Sequence, residues 1–440
     1  MSSSVRSGPA EPPGPGFDRA VSRWEIVGLA LNDVIGSGVY LLPAAAAAIL
    51  GPASLCAVLL AGFAVLLLVL CFAEAASHFD RPGGAYLYAR TAFGELVGFE
   101  VGWMTWLARV SAVASLSAGF AQAMGYLWPA TQAGWGRTWA IVLPVVLLTA
   151  INFVGVRSGA RTAVTLAITK IVPLVVFVSV GMFAVSWSRA TAGGPIDHRR
   201  LGEAALLLLF AYAGFENIGA PAGEFKNPRR DVPFALVTQI VIVTLLYAAV
   251  QWVALGTLPG LATAKTPLAD AARLFLGPWG GWLLTVGAAI SILGSNSNTI
   301  LTGPRYLFAL AEDGYGPRAL AYVHPRFHTP AVAIVVQSAI ALPLALSGSF
   351  VHLAALSTIA RLATYFGTAI AVPVLRRKLA GETSLRLPGG PLIPIAASLV
   401  CIELAAGAAA RDLWAALLAV VAGLPMYFVR MFRSRPRQRA

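Results

Sequence analysis

The stretch "LNDVIGSGVY", residues 31–40, decides how this chain is read. It lies between "WEIVGLA" (24–30) and "LLPAAAAAIL" (41–50), inside an apolar run long enough to cross a bilayer. A helix needs about 20 apolar residues for that crossing. Yet Asn32, Asp33 and the triplet Gly36-Ser37-Gly38 occupy its middle. Glycine lowers the cost of leaving helical geometry, and Pro43 suits the first turns of a new half-helix. Taken alone, a Gly pair in a membrane helix reads first as a close-packing site.

Working outward, the rest of the chain has the same apolar character. Of 440 residues, 58% are hydrophobic and only 12% are charged, with mean hydropathy +0.75. A soluble domain of this size carries far more surface charge. The expected fold class is therefore an all-α polytopic membrane protein with 12 transmembrane helices. Spans are expected near 24–47, 53–76, 94–127, 138–156, 160–187, 201–222, 232–258, 277–311, 330–346, 351–375, 389–409 and 411–432. The tail 1–20, rich in Pro, Gly and Ser, is expected to be disordered, and the segment 433–440 to be a basic tail. No short apolar stretch followed by a small-residue cleavage site marks a removable signal peptide.

The formal charge of +13 is distributed by topology. Arg81 and Arg90 follow the second span, Arg157 and Arg161 the fourth, and Lys226, Arg229 and Arg230 the sixth. Arg318 and Arg326 follow the eighth, Arg376, Arg377 and Lys378 the tenth, and the C-terminal "RMFRSRPRQRA" is basic throughout. Lys and Arg concentrate in cytoplasmic loops, so both termini are expected in the cytoplasm. The positive charge then faces anionic lipid, not nucleic acid. Cys56, Cys71 and Cys401 lie in apolar spans and are expected to pack as small hydrophobes. No CxxC, HExxH, phosphate-binding loop or nucleophile elbow occurs. Neither a cofactor nor a metal is expected, no catalytic residue is assigned, and a membrane enzyme is disfavoured.

A second interruption changes the reading of the first. "LLLLFAYAGFENIGAPAGEFKNPRRDVP" puts Gly214, Glu216 and Asn217 in mid-span, followed by Gly219 and Pro221. Interrupted first and sixth spans, at matching places in two halves of five helices, point to an inverted-repeat transporter with its substrate site at the midplane. Unwound backbone cannot face lipid, because each unpaired N–H or C=O costs several kcal/mol there; it can line a polar cavity. N–H groups at Ser37, Gly38 and Val39 suit a carboxylate. Carbonyls near Val34, Phe210 and Ala213 suit an ammonium. The two together describe an α-amino acid.

These residues resemble the amino acid–polyamine–organocation (APC) transporter superfamily. The likeness runs through "IGSGVYLLP", "AEAASHFDRPGGAYLYARTAFGELVGFEVGW", "NFVGVRSGARTAVTLAITK", "AYAGFENIGAPAGEFKNPRRDVPFA" and "GPRYLFALAEDGYGPRAL", in order along nearly the whole chain. It implies the LeuT-like 5+5 inverted repeat, with a first repeat over 21–187, a second over 201–375, and two further helices over 389–432. It implies alternating access for amino acids or their amines. By position it implies a substrate site along the two breaks, at Val34, Ile35, Gly36, Ser37, Gly38, Phe210, Ala213, Gly214 and Phe215, with Phe210 and Phe215 as gating aromatics. Two positions depart from a similar bacterial antiporter: Asp33 stands where that protein resembles an Asn, and "SNSNTILTGP" in the eighth span lacks its stacking Trp.

Charges inside the membrane are functional candidates by default. Lys170 in "LAITKIVPL" resembles the lysine that fills the sodium position in sodium-independent relatives. Burial disfavours its charged form, so it is a candidate to load and release a proton; snorkelling to the interface is the plainer alternative. Asp33 is a candidate proton carrier, a partner for Lys170, or a brace for the unwound segment. Glu216 follows the second break and is expected to shape the pocket or respond to pH. Glu74 reads as structural. The partners of Arg109 and Arg361 are not legible in the sequence, gate ion pairs being one candidate; Asn296 and Asn298 read as polar glue or as pocket lining, with Asn298 taken as substrate-binding, and Tyr365 chiefly packs. "RPGGAYLYARTAFGE" (81–95) reads as an amphipathic segment at the cytoplasmic mouth.

The expected function is secondary transport of amino acids across a bacterial inner membrane, sodium-independent and driven by protons or exchange. The expected partners are an amino acid, protons and the lipid bilayer. A polyamine or amine exchanger and a non-transporting amino acid sensor are the alternatives. The substrate side chain, direction of flux and oligomeric state are not legible in the sequence.

Overall fold

The backbone leaves the helix inside the stretch quoted first. In the computed structural model, which describes residues 21–79, 84–154, 160–191, 197–219, 225–327, 329–379 and 385–433, α1 (Arg23–Val34) ends at Ile35. Ile35 takes an extended conformation, while its N–H still closes on the Leu31 carbonyl at 3.0 Å. A new helix, α2 (Gly38–Leu50), starts three residues later. α1 begins on Ser22, whose N–H and hydroxyl both donate to the Glu25 carboxylate at 2.8 and 2.7 Å. That local bonding satisfies a helix start that would otherwise leave donors bare.

The remaining helices are α3 (Ser54–Ser77), α4 (Gly84–Phe93), α5 (Glu95–Met124), α6 (Gly134–Val154), α7 (Ala160–Gly181), the short α8 (Trp187–Ala190), α9 (His198–Tyr212), α10 (Pro228–Thr257), α11 (Pro267–Glu312), α12 (Ala331–Ser347), α13 (Phe350–Lys378), α14 (Leu392–Ala406) and α15 (Ala410–Arg433). Among the described residues there is no β-strand beyond one isolated bridge between Val21 and Phe225. Among the described residues, six helical stretches are long and apolar enough to cross a membrane, from Gly38–Ser77 to Ala410–Phe428, and three shorter apolar helices accompany them. The surface is apolar where lipid would lie. Leu143, Val146 and Leu147 of α6 and Trp414, Leu417, Leu418 and Val421 of α15 are exposed. The buried interior meanwhile holds Glu74, Arg109, Lys170, Glu216 and Arg361. This is a polytopic helical membrane protein.

Two elements differ from the sequence reading. The sixth span was expected over 201–222, but α9 stops at Tyr212. Ala213 is extended, and Gly214 has φ of 129°, which an L side chain rarely adopts. A single 3₁₀ turn, Phe215–Asn217, follows; residues 220–224 lie outside the described set. The eighth span was expected from 277, but α11 runs back to Pro267 through a bend at Gly277 (φ 69°). Pro278 has no N–H to continue the ladder there, and Gly277 absorbs the turn. The expected disordered tail at 1–20 and nearly all of the basic tail lie outside the described residues.

Two groups of helices recur in the packing: α1, α2, α3, α9 and α10 pack among themselves, while α5 packs on α11, α12 and α13, with α13 also reaching α3 and α9. α7 bridges α1 and α11. Small residues set the closest approaches. A Cβ added at Gly62 of α3 would lie 2.5 Å from Thr244 of α10, and one at Gly287 of α11 would lie 2.8 Å from Pro173 of α7.

Candidate functional site

The two interruptions lie against each other. A Cβ on Gly38 would sit 2.6 Å from the Cα and Cβ of Ala211, and a Cβ on Gly214 would sit 2.7 Å from the Asp33 carbonyl oxygen. Only glycine permits either approach. The backbone groups that helix geometry no longer satisfies are taken up by neighbours. The Lys170 ammonium, fully buried on α7, donates to the Asn32 carbonyl at 3.0 Å and to Ser295 Oγ at 3.1 Å. Ser291 and Ser295 of α11 donate to the Ile35 carbonyl at 3.0 and 3.2 Å. Tyr247 of α10 donates to the Ala211 carbonyl at 3.0 Å and the Val34 carbonyl at 3.4 Å. At the other side of the first break the Ser37 carbonyl accepts from Tyr40 and Leu41, which begins α2. Its own first amides point out of the helix without intrahelical partners, and the Ser37 hydroxyl is buried without a partner.

Glu216 organises the second break. Its carboxylate accepts from the Gly214 N–H at 2.9 Å, the Tyr365 hydroxyl at 3.2 Å, Arg109 of α5 at 3.3 Å, and Arg361 of α13. All three charged side chains are almost fully buried. A buried charge survives only when paired and hydrogen-bonded, and one carboxylate here answers two guanidiniums from two helices. Asp33 accepts from Asn298 of α11, while Lys170 donates to Asn32 and Ser295, so of the alternatives read for Asp33 a direct pair with Lys170 is not seen.

A small cavity of about 30 Å³ lies where the breaks meet, lined on one side by Asp33, Val34, Gly36, Ser37 and Gly38 and on the other by Phe210, Ala213 and Gly214. α5 adds Arg109, Ala112 and Leu116, α11 adds Ser295 and Thr299, and α13 adds Arg361. That volume holds about one water molecule. Phe210 meets Phe350 edge-on, with centroids 5.9 Å apart. Phe350 also floors a wider vestibule of about 510 Å³ at the end of the molecule away from the N-terminus. The N-terminal end is strapped shut. Glu74 of α3 holds Arg376 of α13 through two contacts of 2.5 and 2.7 Å and accepts from the Leu387 N–H at 3.1 Å. Arg90 of α4 meets Asp313 at 2.9 Å, Arg23 meets Asp231 at 2.8 Å, and Arg430 meets Glu95 at 3.0 Å.

Seven of the ten residues named from sequence as substrate-binding line the cavity. Ile35 does not; its carbonyl is spent on α11. Phe215 stacks on Tyr365, with centroids 5.1 Å apart, and meets Phe72 edge-on. Asn298 stands behind Asp33. Sequence reasoning left Arg109 and Arg361 without partners and missed Ser291, Ser295 and Thr299. Those hydroxyls recur at positions 291, 295 and 299, one helical turn apart, so they share one face of α11. Asn296 donates to Ser117 at 2.9 Å, away from the cavity. Cys71 and Cys401 are buried as expected of small hydrophobes, but Cys56 is exposed on α3.

Comparison with known proteins agrees with this architecture. A serine/threonine exchanger of Bacillus subtilis is 30% identical over 416 residues, spanning 91% of this chain and 94% of its own. A branched-chain amino acid permease of the same organism is 27% identical, spanning 93% and 92%. A vacuolar cationic amino acid transporter of Arabidopsis thaliana is 26% identical over 81% of this chain and 63% of its own. The family model described as amino acid permease matches residues 21–429. With broken helices meeting at a buried cavity and that match covering nearly the whole chain, the protein belongs to the amino acid permease family, within the APC superfamily of transporters.

Proposed function

We propose that the protein is a secondary transporter that binds an α-amino acid between its two broken helices and carries it by alternating access. The observation that carries this reading is the cavity itself, whose walls are backbone from both interruptions. The amides of Ser37 and Gly38 receive the α-carboxylate, and the carbonyls of Val34, Phe210 and Ala213 receive the ammonium. Peptide dipoles at helix ends suit both charges without adding side-chain charge. The helices α1–α3, α9 and α10 rock as a bundle against α5 and α11–α13, in a LeuT-like repeat of five plus five spans followed by two more. The grouping of helix packing supports that division.

With Lys and Arg held on the cytoplasmic side, the strapped end faces the cytoplasm and the vestibule faces outward. The conformation is then closed inside and occluded at the cavity, with Phe210 and Phe350 as the outer wall. The setting is a bacterial inner membrane. Lys170 supplies, between the first and eighth spans, the positive charge that would otherwise require a cation, which makes transport sodium-independent. It loads or releases a proton, or acts as a fixed charge in an exchanger. Glu216 is committed to two arginines, and Asp33 to Asn298. This favours an amino acid over the polyamine alternative, which needs free carboxylates.

The test is uptake of radiolabelled amino acids into proteoliposomes, with an outward-directed amino acid load or an inward proton gradient. Accumulation that survives replacement of sodium by choline supports the reading. Binding without uptake under either gradient would instead identify a sensor, and a strict sodium requirement would remove the Lys170 argument.

A further inference from the structure

Resting on the transport reading, one feature of the cavity carries it further: its charge. Arg109 and Arg361 line the cavity directly, and among the described residues the only carboxylate lining it is Asp33. Among the described residues that line it, two positive charges, Arg109 and Arg361, therefore stand against one negative, Asp33; behind them Glu216 adds a negative charge and Lys170, when protonated, a positive one. The excess has a specific location. Arg109 is 3% exposed and holds Glu216 through one hydrogen bond at 3.3 Å, while its Nε is buried without any partner. A buried guanidinium N–H left unmet is costly, and here it belongs to a residue that walls the cavity.

The vestibule repeats the sign. Among the described residues its charged lining is Arg137 and Lys265, with no carboxylate. Arg137 is spent on the carbonyls of Leu346 and Gly348, at 3.1 and 2.6 Å. The Lys265 side chain is exposed. Two successive chambers of one sign steer ligands of the opposite sign and repel those of the same sign.

We infer that the substrate carries an anionic side chain, as aspartate and glutamate do. Its α-carboxylate and ammonium lie on the broken helices, and its side-chain carboxylate takes the free edge of Arg109. Lysine, arginine and polyamines are excluded by Arg109 and Arg361. Neutral side chains leave Arg109 unmet.

The experiment is competition for binding to the purified full chain, with L-glutamate, L-aspartate, L-serine, L-leucine and L-arginine as probes, repeated on Arg109→Met and Lys265→Glu. The expected result is preference for glutamate or aspartate by at least about tenfold, the size of one charge-assisted contact. Arg109→Met should lose that preference, while Glu216 keeps Arg361. Lys265→Glu, an exposed change that cannot endanger folding in the same way, should raise the Kd for the acidic ligand at low salt and have less effect at high salt. Binding of serine, leucine or arginine in preference to the acids overturns the inference and leaves the transport reading standing. An acidic preference unchanged in both variants also overturns it. Failure of every amino acid to bind removes the transport reading itself.

Discussion

At the residue scale, the glycines at the breaks are not equivalent. Gly38 lines the cavity, but a Cβ there would lie 2.6 Å from Ala211, so any side chain pushes α2 off α9. Gly38→Leu is therefore expected to lower the yield of folded protein, instead of leaving a folded protein that cannot bind. Gly36 is the cleaner probe. A Cβ there meets Ser295 Oγ at 3.4 Å and Leu116 at 3.6 Å, ordinary contacts at the cavity wall. Gly36→Ala should keep a melting temperature within a few degrees of the parent while weakening substrate binding, measured by ligand-induced thermal shift. Gly214→Ala adds strain at φ 129° to a clash with the Asp33 carbonyl and should fail to fold. Lys170→Ala leaves the Asn32 carbonyl unmet and removes a charge beside the break, so it should destabilise by about 1–3 kcal/mol. In proteoliposomes it should also abolish the dependence of uptake on a pH gradient; unchanged dependence would refute the coupling role. The glycines and Lys170 were legible because a break and a membrane charge are anomalies in an apolar run. The partners of Arg109 and Arg361 were not, because they come from helices remote in sequence.

At the scale of elements, the Arg109–Glu216–Arg361 cluster ties α5 and α13 to the turn that follows α9. Removing the carboxylate strands two buried guanidiniums. Glu216→Gln should therefore cost about 3–5 kcal/mol, far more than a typical surface change. The Glu74–Arg376 strap joins α3 to α13, with Glu74 fully buried. Arg376→Gln should loosen the strapped end, and a cysteine reagent reaching an introduced thiol on the cavity side of that strap should react faster in the variant than in the parent. An unchanged rate would show that other contacts hold this end shut. Helix existence was readable from hydropathy, since long apolar runs leave few choices. Helix ends were not: α9 stops at Tyr212 because Gly214 and the Glu216 carboxylate capture the backbone, and α11 extends through Gly277 because a Gly-Pro pair bends a helix without separating it.

At the scale of the molecule, two groups of helices enclose backbone that cannot face lipid, and the family match over residues 21–429 sets this arrangement among amino acid permeases. Composition and two matched anomalies were enough to expect that architecture. The small volume of the cavity, the strapped end and the positive sign of both chambers depend on how distant helices meet, which no local pattern encodes. The central claim is that peptide groups at the two breaks hold the charged ends common to all amino acids. The most direct measurement is the thermal shift of the purified protein with its best amino acid ligand, compared with the methyl ester and the decarboxylated amine of that same ligand. A ligand at 100 times its Kd stabilises by about 2.7 kcal/mol, so the shift is readily seen. The account predicts stabilisation by the amino acid that is lost with either analogue, the ester being the α-ester and the amine the α-decarboxylated one, because the Ser37 and Gly38 amides then have no α-carboxylate to receive. Equal stabilisation by the ester or the amine would contradict it.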